Sequence, residues 1–203
     1  MSLSSKSTDP DPGPDPLVIF ESWYAEAERR KLEFFDAFSL ATATRAGKPS
    51  VRTVLFKGLW QGRVRFVTNY DSRKGRELTD NPLAAAVFFW PGLGRQVRFE
   101  GHVTRASADD SDRYFASRDR ESQLGAWASD QSRAIATRAE LEARLEAARV
   151  RFADGPVPRP AHWGLLELEP ERVELWQNGA HRLHDRFAYE RRGDGWSVER
   201  LAP

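Results

Sequence analysis

The sequence predicts a mainly β, α+β protein: one antiparallel sheet that curls or closes into a barrel around a helical insert. Three observations predict it. Segments of period-two hydrophobic patterning cluster at both ends of the 203-residue chain. A section with helical period separates them, and turn residues space the strands closely enough for antiparallel hairpins.

In chain order, residues 1 to 15 hold Ser, Asp, Pro and Gly with almost nothing to bury, and are expected to be a disordered tail. Residues 16 to 203 are then expected to form a single domain. Leu17, Phe20, Tyr24 and Ala27 recur at three- and four-residue spacing, which predicts an amphipathic helix over 17 to 32, opened by Asp15-Pro16. At Phe38 the period changes to two, and strands are expected near 38 to 44, 51 to 57 and 64 to 68. Ser72 is a plausible N-cap for a short helix that ends at Asp80-Asn81-Pro82. Two more strands follow, 83 to 90 and 96 to 104, across the turn Pro91-Gly92-Leu93-Gly94.

The helical section is expected over 108 to 118, from 121, and from the capping box Thr137-Arg138-Ala139-Glu140. The proline-rich stretch 155 to 160 reads as an extended connector. Strands at 163 to 168, 173 to 176, 183 to 189 and 196 to 201 finish the chain.

Composition excludes several classes. The 31 basic and 30 acidic residues nearly cancel, so no general nucleic-acid-binding field exists and any anion site is local. The absence of cysteine excludes disulfides and thiolate chemistry, and suits a cytoplasmic protein. No run approaches the roughly 18 apolar residues of a membrane helix. Seven Trp and twelve Phe suit cores, interfaces and aromatic ligands alike.

Three groups of residues could carry chemistry. Arg52 and Lys57 share a strand, and Arg73 and Lys74 open a short helix. Cations at a helix N-terminus have the wrong sign for the dipole, so they read either as a grip for an anion such as phosphate or as solvated surface charge at a flexible helix end. Arg52 and Lys57 are an odd number apart, so a regular strand points them to opposite faces. Tyr114, Arg118 and Ser122, spaced four and four, would line one face of a continuous helix as a phosphate grip or as an ordinary polar face. The stretch from Trp176 to Arg186 packs an indole, two guanidiniums and two imidazoles into eleven residues. Read as strand, turn and strand, it puts Arg182, His184 and Arg186 on one face. The four histidines lack metal-ligand spacing, so no metal is expected, and no Gly-x-Ser-x-Gly elbow occurs.

These segments, Arg52-Thr53-Val54-Leu55-Phe56-Lys57, Thr68-Asn69-Tyr70-Asp71-Ser72-Arg73-Lys74-Gly75, Gly94-Arg95-Gln96-Val97, Tyr114 to Arg118, Ser122 to Trp127, Gln131-Ser132 and Trp176 to the terminal Leu201-Ala202-Pro203, together resemble the pyridoxine/pyridoxamine 5′-phosphate oxidase family. The resemblance implies an FMN-binding split β-barrel and a homodimer with FMN at the interface. It implies FMN contacts from Arg52, Thr53, Val54, Leu55, Phe56, Lys57, Val67, Thr68, Arg73, Lys74, Gln96, Gln131, Ser132, Trp176 and Arg186. Lys57, Tyr114, Arg118 and Ser122 would hold the substrate phosphate. Arg182, Leu183 and His184 would lie over the substrate ring, with Arg182 and His184 as the catalytic pair.

The implied reaction oxidises pyridoxamine or pyridoxine 5′-phosphate to pyridoxal 5′-phosphate. A hydride goes from C4′ to the flavin, and O2 returns as H2O2. The sequence departs from the family at Trp163-Gly164-Leu165, where Trp-Gly-Gly is common, at Val67, often a tyrosine, and in the N-terminal tail. Two alternatives remain: a related flavin oxidase of phenazine-type biosynthesis, and a non-catalytic protein that binds FMN or pyridoxal phosphate.

Overall fold

A computed structural model describes residues 13–203; the expected tail lies largely outside the described residues. Its last three residues lead into helix α1 (Pro16–Arg29), where the Asp15 carboxylate accepts from the Leu17 N–H at 2.8 Å and Pro16 opens the first turn. Eight strands follow: β1 (Ala37–Ala43), β2 (Pro49–Trp60), β3 (Arg63–Asn69), β4 (Leu83–Trp90), β5 (Arg95–Arg105), β6 (Trp163–Gln177), β7 (Asp185–Arg192) and β8 (Gly195–Arg200). All pairings are antiparallel, in the order β3-β2-β1-β4-β5-β6-β7-β8. A further β3 to β6 pairing closes the first six into a barrel and leaves β7 and β8 as an extension.

Alternation along the strands fills the barrel with Phe38, Leu40, Phe66, Phe88, Val97, Phe99 and Leu168. Helix α1 lays Phe20 among them. Its ring meets Phe56, Phe88 and Phe99 edge-on at centroid distances of 5.4, 4.9 and 5.0 Å. Burial of each such side chain contributes about 2 kcal/mol or more.

Strand β6 is one strand where the sequence suggests two. Pro170 does not break it, because the β5 register shifts between Glu100 and Gly101. That bulge brings the Glu169 carbonyl within 2.0 Å of where a Cβ on Gly101 would sit, so only glycine fits.

The insert consists of α3 (Ala108–Ala116), α4 (Arg120–Ala128) and α5 (Arg138–Arg151), which pack around Phe115, Leu124, Ala148 and Trp163 as a second apolar cluster. The Thr137 hydroxyl accepts from the Glu140 N–H at 3.1 Å, as the capping box predicts. The short helix α2 (Arg73–Asp80) is capped by Ser72, whose hydroxyl accepts from the Gly75 N–H at 3.2 Å. A Cβ on Gly75 would lie 2.1 Å from the Tyr70 carbonyl oxygen, which is backbone and cannot step aside. Gly75→Ala should therefore cost about 3 kcal/mol of stability, at the upper end for overpacking, as read from denaturant midpoints. An unchanged midpoint would show that the loop before α2 relaxes freely.

Candidate active site

Strand β2 divides its side chains between two surroundings. Phe56 points into the barrel core and is 8% exposed, so the cavity side can meet it only through the main chain. Thr53, Leu55 and Lys57 face outward and, with Val54, line a cavity of roughly 570 Å³, the size of a small-molecule site. Strand β3 adds Val67, α2 adds Lys74, the loop after α4 adds Gln131, and the insert adds Tyr114, Arg118 and Ser122. Arg52 and Lys57 do lie on opposite faces of β2, as their spacing predicts. Arg52 turns towards the barrel end, where it donates to the Leu40 carbonyl at 3.1 Å and to the Thr42 hydroxyl at 2.6 Å.

One side of the cavity is built by α2. Lys74 is 8% exposed, and its ammonium donates to Gln131 Oε1 at 2.8 Å; Thr68 also reaches that oxygen, at 3.4 Å. Burial, then the neighbouring Arg52 charge, pull the Lys74 pKa down to about 8. Ser132, next to Gln131, takes a left-handed backbone at φ 70°. Arg73 stays half exposed and pairs with Glu77 at 2.9 Å.

Another part of the wall is built by the insert. Tyr114, Arg118 and Ser122 do not lie on one helix. The chain leaves α3 at Ser117, and the Asp119 carboxylate restarts it as α4 by accepting from the Ser122 N–H at 2.8 Å. All three nevertheless reach the same cavity. The Arg118 guanidinium lies over the Trp163 ring at 4.7 Å, and its buried Nη1 has no hydrogen-bond partner among the described residues. A buried cationic donor left unpaired is costly unless a ligand completes it. Burial raises the Tyr114 pKa, with Arg118 opposing and Asp36 assisting, so its hydroxyl stays a donor at neutral pH. Asp36 itself, which the sequence reading missed, lies 3.9 Å from the Lys57 ammonium.

Gln96, Trp176 and Arg186 sit elsewhere on the chain, as a cross-strand row over β5, β6 and β7. Arg186 is fixed by Glu174 at 2.9 Å and by the Ala202 carbonyl at 2.9 Å, so the last residues of the chain clamp it. The expectation that Arg182 and His184 share a strand face is corrected. Residues Ala180–Arg182 form a 3-10 turn with His181 and Arg182 at positive φ (55° and 65°), and the strand resumes only at Asp185. The turn tucks the His184 ring against Trp176, 4.7 Å between centroids, and the Gly179 N–H points to its Nδ1 at 3.2 Å. Arg182 and Leu183 remain exposed.

Residues 25–152 match the family described as pyridoxamine 5′-phosphate oxidase, and residues 163–203 match the pyridoxine 5′-phosphate oxidase C-terminal dimerisation region. The chain belongs to the pyridoxamine 5′-phosphate oxidase family. It is 48% identical, over all of its length and 93% of the other, to a pyridoxine/pyridoxamine 5′-phosphate oxidase of Cyanothece. It superposes on PhzG from Burkholderia lata, crystallised with tetrahydrophenazine-1-carboxylic acid, with a TM-score of 0.90 at 31% identity over 95% of both chains. A pyridoxamine 5′-phosphate oxidase-related FMN-binding protein from Nostoc punctiforme shares the fold, with a TM-score of 0.73 at 21% identity over 94% of this chain and all of the other.

The barrel is therefore the family's split barrel. Within one chain, the cavity and the row Gln96–Trp176–Arg186 with its adjoining turn stand apart. Trp176 lies eleven residues along β6 from Leu165, the partner of the cavity-lining Val67 in β3, roughly 36 Å of strand at ~3.3 Å per residue. No helix among the described residues is long and apolar enough to cross a membrane.

Proposed function

We propose that this protein oxidises pyridoxamine 5′-phosphate or pyridoxine 5′-phosphate to pyridoxal 5′-phosphate, as a homodimer with FMN as cofactor and O2 as electron acceptor. The observation that carries this is the buried Arg118 Nη1, unpaired among the described residues, in a cavity that has a second cationic grip at Lys74. One cavity with two separate anion grips suits a phosphorylated substrate beside a phosphorylated cofactor. The α2 side fits the FMN phosphate: Lys74 and Arg73 supply charge, and the helix start supplies its dipole. Thr53, Val54, Leu55 and Lys57 run past that position along β2, with Val67, Thr68, Gln131 and Ser132 around it.

FMN held there would supply the hydride acceptor and the route of the electrons to O2. The chain's own part is placement. Tyr114, Ser122 and Lys57 join Arg118 on the substrate phosphate, and the ring is thereby fixed against the flavin. Arg182, Leu183 and His184 cover the other face of the substrate, with Arg182 supplying positive charge near C4′ and His184 held by Trp176.

The separation of the two parts is the reason for a dimer. The outer faces of β2 and β4 expose Val51, Leu55, Leu83 and Phe89, at 68%, 44%, 49% and 54%, an apolar surface suited to a second copy. A twofold axis uses the same patch twice, so two cavities would each be completed by the other copy's Gln96–Trp176–Arg186 row and its 176–186 turn.

The test is substrate choice by the FMN-loaded protein. Pyridoxamine 5′-phosphate should turn over, and unphosphorylated pyridoxamine should fall short by about 100-fold or more in kcat/KM, since charged hydrogen bonds are each worth about 1.5–3 kcal/mol. Equal turnover of both would remove the phosphate role from Arg118. Turnover of a reduced tricyclic carboxylate in preference to both would favour the phenazine-type reading.

FMN affinity should also depend on pH. A phosphate dianion favours the charged form of Lys74, so affinity is full below its pKa of about 8 and is lost as pH rises through it. On the acid side, affinity falls below about pH 6, where the phosphate gains a proton. Titration of flavin fluorescence should therefore give a maximum between the two limits for FMN and a flat profile for riboflavin. A flat FMN profile would contradict the placement of Lys74.

A further inference from the structure

Glu77 is a carboxylate buried at the heart of a cationic site, 5% exposed, one turn along α2 from Arg73. Its Oε1 accepts from Arg73 Nε at 2.9 Å, and its Oε2 accepts from Arg52 Nη2 at 3.2 Å and from the hydroxyls of Ser50 and Thr42. Arg52 in turn reaches Thr42 and the Leu40 carbonyl, so the network ties α2 to β1 and β2. Burial alone would raise the carboxyl's pKa, but donation from Ser50, Thr42, Arg73 and Arg52 outweighs it and brings the pKa to about 2. Glu77 is thus charged at every working pH.

A negative charge beside an anion site needs a reason. Arg52, Arg73 and Lys74 bring three positive charges to this end of the barrel, and Glu77 leaves a surplus of two. That matches the roughly −1.5 to −2 of a phosphate monoester at neutral pH. The same carboxylate anchors two guanidiniums whose long side chains would otherwise lose rotamer freedom on binding.

Resting on the FMN reading above, we propose that Glu77 is the positioning residue of the flavin-phosphate site: it holds Arg52 and Arg73 in place for the phosphate without touching it. Electrostatics and positioning here make opposite forecasts. If the carboxylate only subtracts charge, its removal strengthens phosphate binding. If it orients the arginines, its removal weakens FMN binding and leaves riboflavin, which lacks the phosphate, unaffected.

The experiment titrates FMN and riboflavin into the dimeric wild type, Glu77→Gln and Glu77→Asp, each checked for fold by circular dichroism. The expected result is a loss of FMN affinity of about tenfold or more in Glu77→Gln with riboflavin affinity unchanged. Glu77→Asp keeps the charge but cannot reach all four donors, and should also lose FMN affinity; it carries the test if Glu77→Gln does not fold. A second expected readout is the alkaline limb of FMN binding, which should move below the wild-type position in Glu77→Gln because Arg52, no longer neutralised, acts more strongly on Lys74. Unchanged or tighter FMN binding in the variants would overturn the proposal, and so would equal losses for FMN and riboflavin, which mark a merely structural role. A wild type that binds FMN no better than riboflavin would instead overturn the FMN reading itself.

Discussion

Arg118→Ala should raise KM for pyridoxamine 5′-phosphate by about 100-fold or more, while kcat falls by less than about tenfold. The reason lies in the distribution of the interaction. The guanidinium has a buried Nη1 without a partner among the described residues, so its desolvation has already been incurred, and a phosphate regains it on binding. The phosphate is remote from the reacting carbon and keeps its charge through the reaction, so most of the loss is uniform binding. Arg118 also packs over Trp163 and Phe115, at 4.7 and 5.6 Å, and alanine removes that contact too. Arg118→Lys separates the effects: it keeps a charge but not the fork, and should recover part of KM. If Arg118→Ala affected phosphorylated and unphosphorylated substrates alike, the side chain would be a packing residue of the insert.

Gly179→Ala should lower kcat by about 100-fold with little change in FMN affinity. A Cβ at this position would lie 1.8 Å from the Leu183 carbonyl oxygen and 3.4 Å from the His184 Cα. The backbone of Gly179 is extended (φ −120°, ψ 155°), so the obstacle is space and not dihedral strain. The turn would have to open, and His184 would leave its seat against Trp176. Misplacement by about 1 Å is enough for losses near 10² when catalysis depends on orientation. Steady-state turnover and flavin titration on one preparation check this. Full turnover in Gly179→Ala would show that the turn does not position the groups over the substrate.

Much of the fold was legible because it rests on local signals. Asp15, Ser72 and Thr137 are caps in sequence and in space, and the change from helical to period-two patterning at Phe38 marks where the barrel begins. The opposite facing of Arg52 and Lys57 also follows from strand geometry alone. What escaped the sequence depends on contacts between distant segments. Glu77, four residues after Arg73, reads as an ordinary helix-surface pair; only the closing of α2 over β1 and β2 buries it against Arg52 and Thr42. Asp36 precedes β1 with no motif around it, and it meets Lys57 only because β1 and β2 pair as Ala37 to Leu55.

The stripe Tyr114, Arg118 and Ser122 was visible as spacing, yet its common cavity survives a helix break that spacing cannot reveal. Within the 176–186 segment, residues 182 to 186 alternate well enough to pass for the start of a strand. Its 3-10 turn is dictated by Gly179 against Leu183, a contact between residues too close in sequence to leave a periodic trace.

The central claim is that this cavity oxidises a phosphorylated pyridine through a flavin. The most direct measurement is simultaneous detection of H2O2 and pyridoxal 5′-phosphate from the FMN-loaded dimer supplied with pyridoxamine 5′-phosphate in air. The expected result is one peroxide for each aldehyde formed, with no product when O2 is removed beyond a single turnover. A yellow, dimeric, FMN-saturated protein that releases neither product would contradict the account and leave a protein that binds the flavin without using it.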